Sequence, residues 1–214
     1  MSFALNEVEA MAKKATRGVG YSWGLAEEAG KAARWLCAHG LDGPKALART
    51  LTKTDGSDLK KMTPVSLQGD WYSEGGELCP LVTGAALADS ASSWAKNGLI
   101  INNVIAPAMV LPFAALSARM LGSQVTVTWG GVSAVLDGSV ISLEISHPES
   151  LLETAEQILV RTGGQLDEPL PEQGRASPEE VDWNILNQFA ARIYAPATEE
   201  SRLKGAGAGL SDND

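Results

Sequence analysis

The clearest structural signal in this chain is Gln124-Val-Thr-Val-Thr-Trp129-Gly-Gly-Val-Ser-Ala-Val-Leu136. Apolar and polar side chains alternate on both sides of Gly130-Gly131, which is the pattern of strands with one buried face. Two glycines between two such strands predict a β-hairpin with a primed turn, because glycine adopts positive φ at little cost. The segment therefore predicts an antiparallel pair of strands.

A third strand is predicted directly after this hairpin. Asp137-Gly138 is a turn dipeptide, and the residues from Ser139 to Ile145 again alternate in polarity. Together the three segments predict a three-stranded antiparallel meander at about residues 124–146. Upstream, the apolar residues 99–105 predict a further, buried strand.

Helical patterns flank the meander on both sides. Before it, helices are predicted from Asn6 to about Gly18, from a Ser22 cap to about Ala38, from Pro44 onward, and over residues 81–94 and 112–121. After it, residues 148–161 repeat apolar side chains at helical spacing. The last helix is predicted to begin at a Ser177 cap and to reach about Tyr194. Helices packed on a mainly antiparallel sheet define an α+β fold.

The whole chain, residues 1–214, is expected to form a single α+β domain. Its predicted parts are a helical N-terminal part (1–61), a sheet-containing core (62–164), a linker (165–176), and a C-terminal helix with a Gly-rich tail (177–214). The formal charge is +3 over residues 1–61 and −12 over the remainder. We therefore expect the first part to dock on the acidic rest of the chain.

Composition excludes several classes of protein. The 214 residues carry a net charge of −9 without a Lys/Arg cluster, so nucleic acid is not an expected partner. A hydrophobic content of 44% excludes wholesale disorder. The most apolar stretch, residues 99–121, is interrupted by Asn, Pro and Arg, so no membrane partner is expected. With two cysteines and no secretory signal pattern, the expected location is cytoplasmic.

Few residues suggest imidazole or thiol chemistry. His39 follows the second predicted helix, where it is expected to interact with free carbonyl groups as a structural residue. His147 is interpreted either as an ordinary strand-to-helix joint or as a base at a sheet edge. Cys79 has no base beside it in sequence, so we expect a half-buried, unreactive thiol.

The C-terminal segment has the most unusual composition. Gly205 to Gly209 alternates glycine with alanine between Arg202 and the carboxylate-rich end Asp212-Asn-Asp214. In one interpretation the backbone approaches a ligand, Arg202 neutralises an anion, and the terminal carboxylates hold a cation such as Mg²⁺ or Ca²⁺. In the other, the segment is a solvated chain end of the kind that glycine-rich sequences commonly form.

Both ends of the chain carry a family resemblance. The relevant stretches are Leu5-Asn-Glu-Val-Glu-Ala10, Gly20-Tyr-Ser-Trp-Gly-Leu-Ala-Glu-Glu-Ala-Gly30, Tyr194-Ala-Pro-Ala-Thr-Glu-Glu-Ser-Arg202 and Gly205-Ala-Gly-Ala-Gly-Leu-Ser-Asp-Asn-Asp214. They resemble a bacterial, mainly proteobacterial, family known only as a domain of unknown function. The resemblance implies no activity, cofactor or catalytic residue.

From these observations we expect a small-metabolite-binding or accessory protein. The candidate ligand-binding residues are Trp23, Glu27, Glu28, Ser201, Arg202 and Asp212. The alternative is a hydrolase- or lyase-type enzyme that uses carboxylates, with a divalent cation as candidate cofactor. A homodimer is also expected, because the second helix has a face of small residues and the chain has six tryptophans.

Overall fold

The structure, a computed structural model, describes residues 1–194. It has the predicted α+β fold. Its helices are α1 (Leu5–Val19), α2 (Trp23–Ala38), α3 (Gly43–Thr54), α4 (Pro80–Asp89), α5 (Ala91–Trp94), α6 (Leu111–Leu121) and α7 (Glu180–Ala191). Its strands are β1 (Phe3–Ala4), β2 (Leu99–Val104), β3 (Val125–Trp129), β4 (Val132–Leu136), β5 (Ile141–Ile145), β6 (Ala155–Thr162) and β7 (Arg175–Ala176).

The main sheet has five antiparallel strands in the order β2-β6-β3-β4-β5. The predicted meander is confirmed as β3, β4 and β5, and Trp129 pairs with Val132 across the first turn. Both turn glycines, Gly130 and Gly131, have positive φ, as a primed turn requires. Strands β1 and β7 form a separate two-stranded pair that holds the N-terminus against the segment before α7.

The prediction of a helix over residues 148–161 is wrong. Pro148–Leu151 form a single 3₁₀ turn, and the following residues form β6, between β2 and β3 within the sheet. Ile158 and Val160 are buried, whereas Leu159 between them is only partly buried. The strand prevails because β6 satisfies the hydrogen bonds of two neighbouring strands, and helical spacing within one segment cannot reveal such non-local pairing.

Helix ends agree with the sequence patterns in part. The Ser22 cap is confirmed, since its Oγ accepts a hydrogen bond from the Leu25 amide at 3.3 Å. Helix α1 begins one residue before Asn6. Helix α7 begins two residues later than a Ser177 cap would place it, and its N-terminus has no side-chain cap.

The small-residue face of α2 packs against α1 within the same chain. A Cβ atom on Gly30 would lie only 2.9 Å from the Glu9 carbonyl oxygen, so the two helices are in backbone contact. Four of the six tryptophans are also buried, at positions 71, 94, 129 and 183. Much of the apolar surface that suggested a homodimer is therefore used inside the chain, and the homodimer stays a prediction.

The two histidines and Cys79 differ in their surroundings. The His39 ring is buried, with Nδ1 2.8 Å from the Trp35 carbonyl oxygen and Nε2 3.1 Å from the Ser139 carbonyl oxygen, in agreement with a structural role. His147 is exposed, directly before the 3₁₀ turn. Cys79 is fully buried, which corrects the expectation of a half-buried thiol. Its Sγ lies 3.2 Å from the Tyr21 hydroxyl, and burial raises the pKa of the thiol.

Candidate functional site

Two of the predicted ligand-binding residues share one exposed patch on α1 and α2. Trp23 is 57% exposed, and the guanidinium of Arg17 lies 5.2 Å from the centre of its ring. Glu27 Oε1 lies 2.6 Å from Lys13 Nζ. The hydrogen bond from Lys13 lowers the pKa of the Glu27 carboxyl. These side chains are therefore partnered with cations from α1 and lie on an open surface.

The other predicted residues are not brought into this patch by the described part of the chain. The Glu28 carboxylate accepts a hydrogen bond from Lys31 Nζ at 2.8 Å, one turn further along α2. Ser201, Arg202 and Asp212 lie outside the described residues. A pocket formed by these residues together with α2 stays a prediction.

A cleft with the properties of a ligand site lies elsewhere, between α3, α7 and the turn at residues 148–152. It consists of two cavities of about 370 and 390 Å³ that share the lining residues Lys45, Glu149 and Leu152. We call it the α3/α7 cleft. Its apolar wall includes Leu36, Leu41, Ala108, Leu151, Leu152 and Ile185. Its charged lining consists of Asp42, Lys45, Arg49, Glu149, Glu153 and Asp182.

Local sequence fixes one side of the cleft at the start of α3. The Asp42 carboxylate caps this helix by accepting a hydrogen bond from the Lys45 amide at 3.0 Å. Pro44 occupies the first turn, where its missing N–H is not needed. At Gly43 a Cβ atom would overlap the Ala33 carbonyl group, so glycine allows α3 to start directly against α2.

The other side of the cleft is formed by the first turn of α7. Asp182 is only 9% exposed, and its Oδ2 atom is buried with no hydrogen-bond partner. Burial raises the pKa of this carboxyl, and the negative charge of Asp42 raises it further. A buried carboxyl oxygen without a donor costs free energy, because folding removes the water that would otherwise bind it.

Asp42 and Lys45 complete the electrostatics of the cleft. Partial desolvation raises the pKa of Asp42, and the nearby Glu179 carboxylate adds to this effect. Lys45 donates a hydrogen bond to Glu179 at 3.0 Å, and this bond raises the lysine pKa. The cleft therefore combines an apolar wall with two carboxyl groups that hold protons more strongly than usual. Such a site can bind a hydrogen-bond donor or transfer a proton.

Another cavity, of about 510 Å³, lies at the start of β2 beside Asp70, Asn97 and Arg161. These three side chains are exposed to solvent. Among residues 1–194, none of the buried polar side-chain atoms without a partner belongs to its lining. The α3/α7 cleft is the stronger candidate for this reason.

Two further findings concern metals and membranes. Within the described part of the chain, no group of three or more His, Cys, Asp or Glu side chains is arranged to hold a metal ion. None of the helices in residues 1–194 is both long enough and apolar enough to cross a bilayer.

Sequence reasoning missed Asp42 and Asp182. An aspartate before Gly-Pro resembles an ordinary helix cap, and an aspartate in a first helical turn resembles an ordinary complement to the helix dipole. Both local interpretations are sound. The signal that sets the two residues apart is that they approach one another from positions 140 residues apart, and this follows only from the tertiary fold.

Comparison with known families gives one result. Residues 3–79 match the family described as "Protein of unknown function (DUF3726)", which confirms the predicted resemblance to a domain of unknown function. The matched segment includes Asp42 and Lys45 but ends before Asp182. The bacterial source stays a prediction. Comparison with curated proteins finds no significant match.

Proposed function

We propose that this chain is a small-molecule-binding protein whose ligand occupies the α3/α7 cleft. One observation carries the proposal: the buried Asp182 carboxyl has an oxygen without a hydrogen-bond partner, and the residue lines a cavity whose surface is mostly apolar. Buried polar groups in native proteins are almost always satisfied, and exceptions call for a missing partner such as a ligand or water. A ligand with a donor group would supply that partner once the carboxyl group rotates toward the cavity, since Oδ2 is shielded from solvent.

The size and lining of the cleft support the same proposal. Each of its two cavities lies within the range of about 300–1,000 Å³ that is typical of small-molecule sites. Such sites are mostly apolar and contain a few polar groups that orient the ligand. Here the apolar wall comes from α2, α3, α7 and the turn at residues 148–152, while six charged side chains, among them Asp42 and Asp182, supply the polar groups.

A second candidate function is hydrolysis or elimination by these carboxyl groups. The observation that favours it is the raised pKa of both Asp42 and Asp182 beside one cleft. One carboxyl that keeps its proton can act as a general acid, and a neighbouring carboxylate can act as the base. Product formation distinguishes this candidate from binding alone.

A thermal-shift screen of a metabolite library tests the binding proposal. Leu152→Trp fills the cleft, because Leu152 lines both cavities. Val181→Trp is the matched control, because Val181 is 59% exposed and lies outside the lining. We expect ligands that raise the melting temperature of the wild type and the control by about 2 °C or more and leave Leu152→Trp unchanged. A library without hits, or hits that persist in Leu152→Trp, would contradict the proposal.

The same hits separate the two candidate functions. Each is incubated with the wild type, and the mixture is examined by NMR for new products. Recovery of the unchanged compound supports a binding protein. Turnover that is lost in both Asp42→Asn and Asp182→Asn would establish the enzyme instead, and Asn at position 42 still caps α3.

A further inference from the structure

We infer that the ligand of the α3/α7 cleft is a primary amine, an ammonium group carried on a small apolar body. This inference rests on the proposed function of the cleft and adds the chemical class of the ligand. It depends on three features of the site: its excess of negative charge, the unpartnered acceptor on Asp182, and the apolar wall opposite.

Negative charge exceeds positive charge in the lining. Four carboxyl side chains line the cleft and only two cationic side chains do so. One of these two, Lys45, is already bound to Glu179 at 3.0 Å. The other, Arg49, is exposed to solvent, as are Asp42, Glu149 and Glu153, so solvent screens these charges and Asp182 is the one buried charge among the lining residues that the structure describes. A ligand cation would reduce the repulsion among the carboxylates, whereas a ligand anion would add to it.

The buried acceptor is suited to an ammonium donor. Asp182 Oδ2 accepts no hydrogen bond within the described chain. An ammonium group has three donors and no acceptor, and a carboxylate has only acceptors. Oδ2 is shielded from solvent, so an ammonium group in the cavity reaches it only after the carboxyl group rotates about its terminal torsion, which is soft in aspartate. The resulting bond would be charge-assisted, which is the stronger class of hydrogen bond.

The aliphatic part of the lining favours a ligand whose remaining atoms are apolar. Leu36, Leu41, Leu151 and Ile185 offer aliphatic surface and no hydrogen bonds from their side chains. A short hydrocarbon fits this surface, whereas a highly polar body would lose its hydration without compensation. A bare metal ion fits less well, because no group of three or more metal-ligating side chains occurs in residues 1–194.

Calorimetric titration of the full chain with hexylamine, hexanol and hexanoate tests the inference. Each of the three probes has six carbon atoms, and they differ in the charge and the hydrogen-bonding capacity of the head group. We expect hexylamine to bind at least about tenfold more tightly than either of the others, which is about 1.4 kcal/mol. Asp182→Asn should remove most of this preference. Glu180→Gln removes the same charge from an exposed neighbour outside the lining, so it should keep the preference.

The possible outcomes distinguish failure of the amine inference from failure of the cleft as a ligand site. Preferential binding of hexylamine that Asp182→Asn abolishes and Glu180→Gln retains supports the inference. Equal or tighter binding of hexanol or hexanoate overturns the amine inference and leaves the cleft as a ligand site. Failure of all three probes to bind overturns the inference and also removes support from the cleft itself. If Asp182→Asn does not fold, the selectivity of the wild type decides alone.

Discussion

Lys45 Nζ lies 3.0 Å from Glu179 Oε1 and joins α3 to the residue before α7 across 134 positions of sequence. Both side chains are partly exposed, so the ion pair is worth at most about 1 kcal/mol of stability. Its larger consequence is electrostatic. Lys45 donates to Glu179, and Asp182 Oδ2 in the same cleft has no hydrogen-bond partner within residues 1–194.

This relationship predicts how a neutral residue at position 45 changes binding. Lys45→Gln removes a positive charge from the lining while keeping a side chain of similar length. We expect hexylamine to bind about two- to fivefold more tightly to this variant, because the cleft becomes more negative. Calorimetric titration at low and high salt measures the change. Weaker binding of hexylamine to Lys45→Gln at low salt would be evidence against a cation-selective cleft.

Asp182 should make the protein less stable as pH rises. Its folded-state pKa is raised above the ordinary value of 3.8, so the native state binds the proton more tightly than the unfolded state does. The free energy of unfolding therefore falls as pH rises from 3.8 through the raised folded-state pKa. Asp182→Asn cannot titrate. We expect it to be more stable than the wild type at neutral pH and to lose this advantage in acid.

Urea denaturation over a range of pH measures the Asp182 effect, and Asp137→Asn provides a control of opposite sign. Hydrogen bonds from the Val140 and Ser139 amides lower the Asp137 pKa below its ordinary value of 3.8. Its contribution to stability is therefore present above pH 3.8 and is lost as pH falls through the lowered folded-state pKa. We expect Asp137→Asn to be less stable than the wild type at neutral pH, with a smaller difference in acid. Parallel pH profiles for the two variants would contradict the assigned pKa directions.

Gly18 is a close contact between α1 and the end of α7. A Cβ atom at this position would overlap the Phe189 carbonyl oxygen, whereas a Cβ atom at Gly24 in α2 would meet nothing within 4 Å. We expect Gly18→Ala to lower the free energy of unfolding by more than about 2 kcal/mol. Gly24→Ala should be neutral or stabilising by up to about 1 kcal/mol. Urea denaturation measures both variants. Equal changes in the free energy of unfolding for Gly18→Ala and Gly24→Ala would contradict the close contact between α1 and α7.

The strand at residues 155–162 can be tested against the helix that sequence spacing predicts. In β6 the Val160 side chain is fully buried, and Leu159 is partly exposed. We expect Val160→Lys to cost at least about 3 kcal/mol, because it buries an unpaired charge. Leu159→Lys should cost no more than about 1 kcal/mol, because the lysine can extend into solvent. A larger loss of stability for Leu159→Lys than for Val160→Lys would contradict the strand and favour the helix that sequence spacing predicts.

The contrast between the meander and β6 shows which elements of this fold can be predicted from residues that are adjacent in sequence. Gly130-Gly131 specifies a turn through its own backbone freedom, so the hairpin follows from adjacent residues. Ile158 and Leu159 fit a helix and a strand equally well at short range. Only the pairing of β6 with both β2 and β3 decides between them, and those partners are distant in sequence.

The candidate site was beyond sequence reasoning for the same reason. The sequence points to Glu27 and Glu28 as ligand-binding residues, and the structure pairs them with Lys13 and Lys31. Asp182 has no such partner for Oδ2. Its burial and its proximity to Asp42 arise from the packing of α7 beside α3. The sequence of neither helix predicts that contact.

The most direct test of the ligand site is an amide NMR titration of the full chain with the strongest hit of the metabolite screen. Ligand in the α3/α7 cleft should shift the amide signals of Ala46, Leu152 and Ile185, which line it from three different elements. Signals around Trp23 should stay unchanged. Shifts that cluster at Trp23 and Glu27 and spare the cleft would contradict the assignment and would favour the patch on α1 and α2.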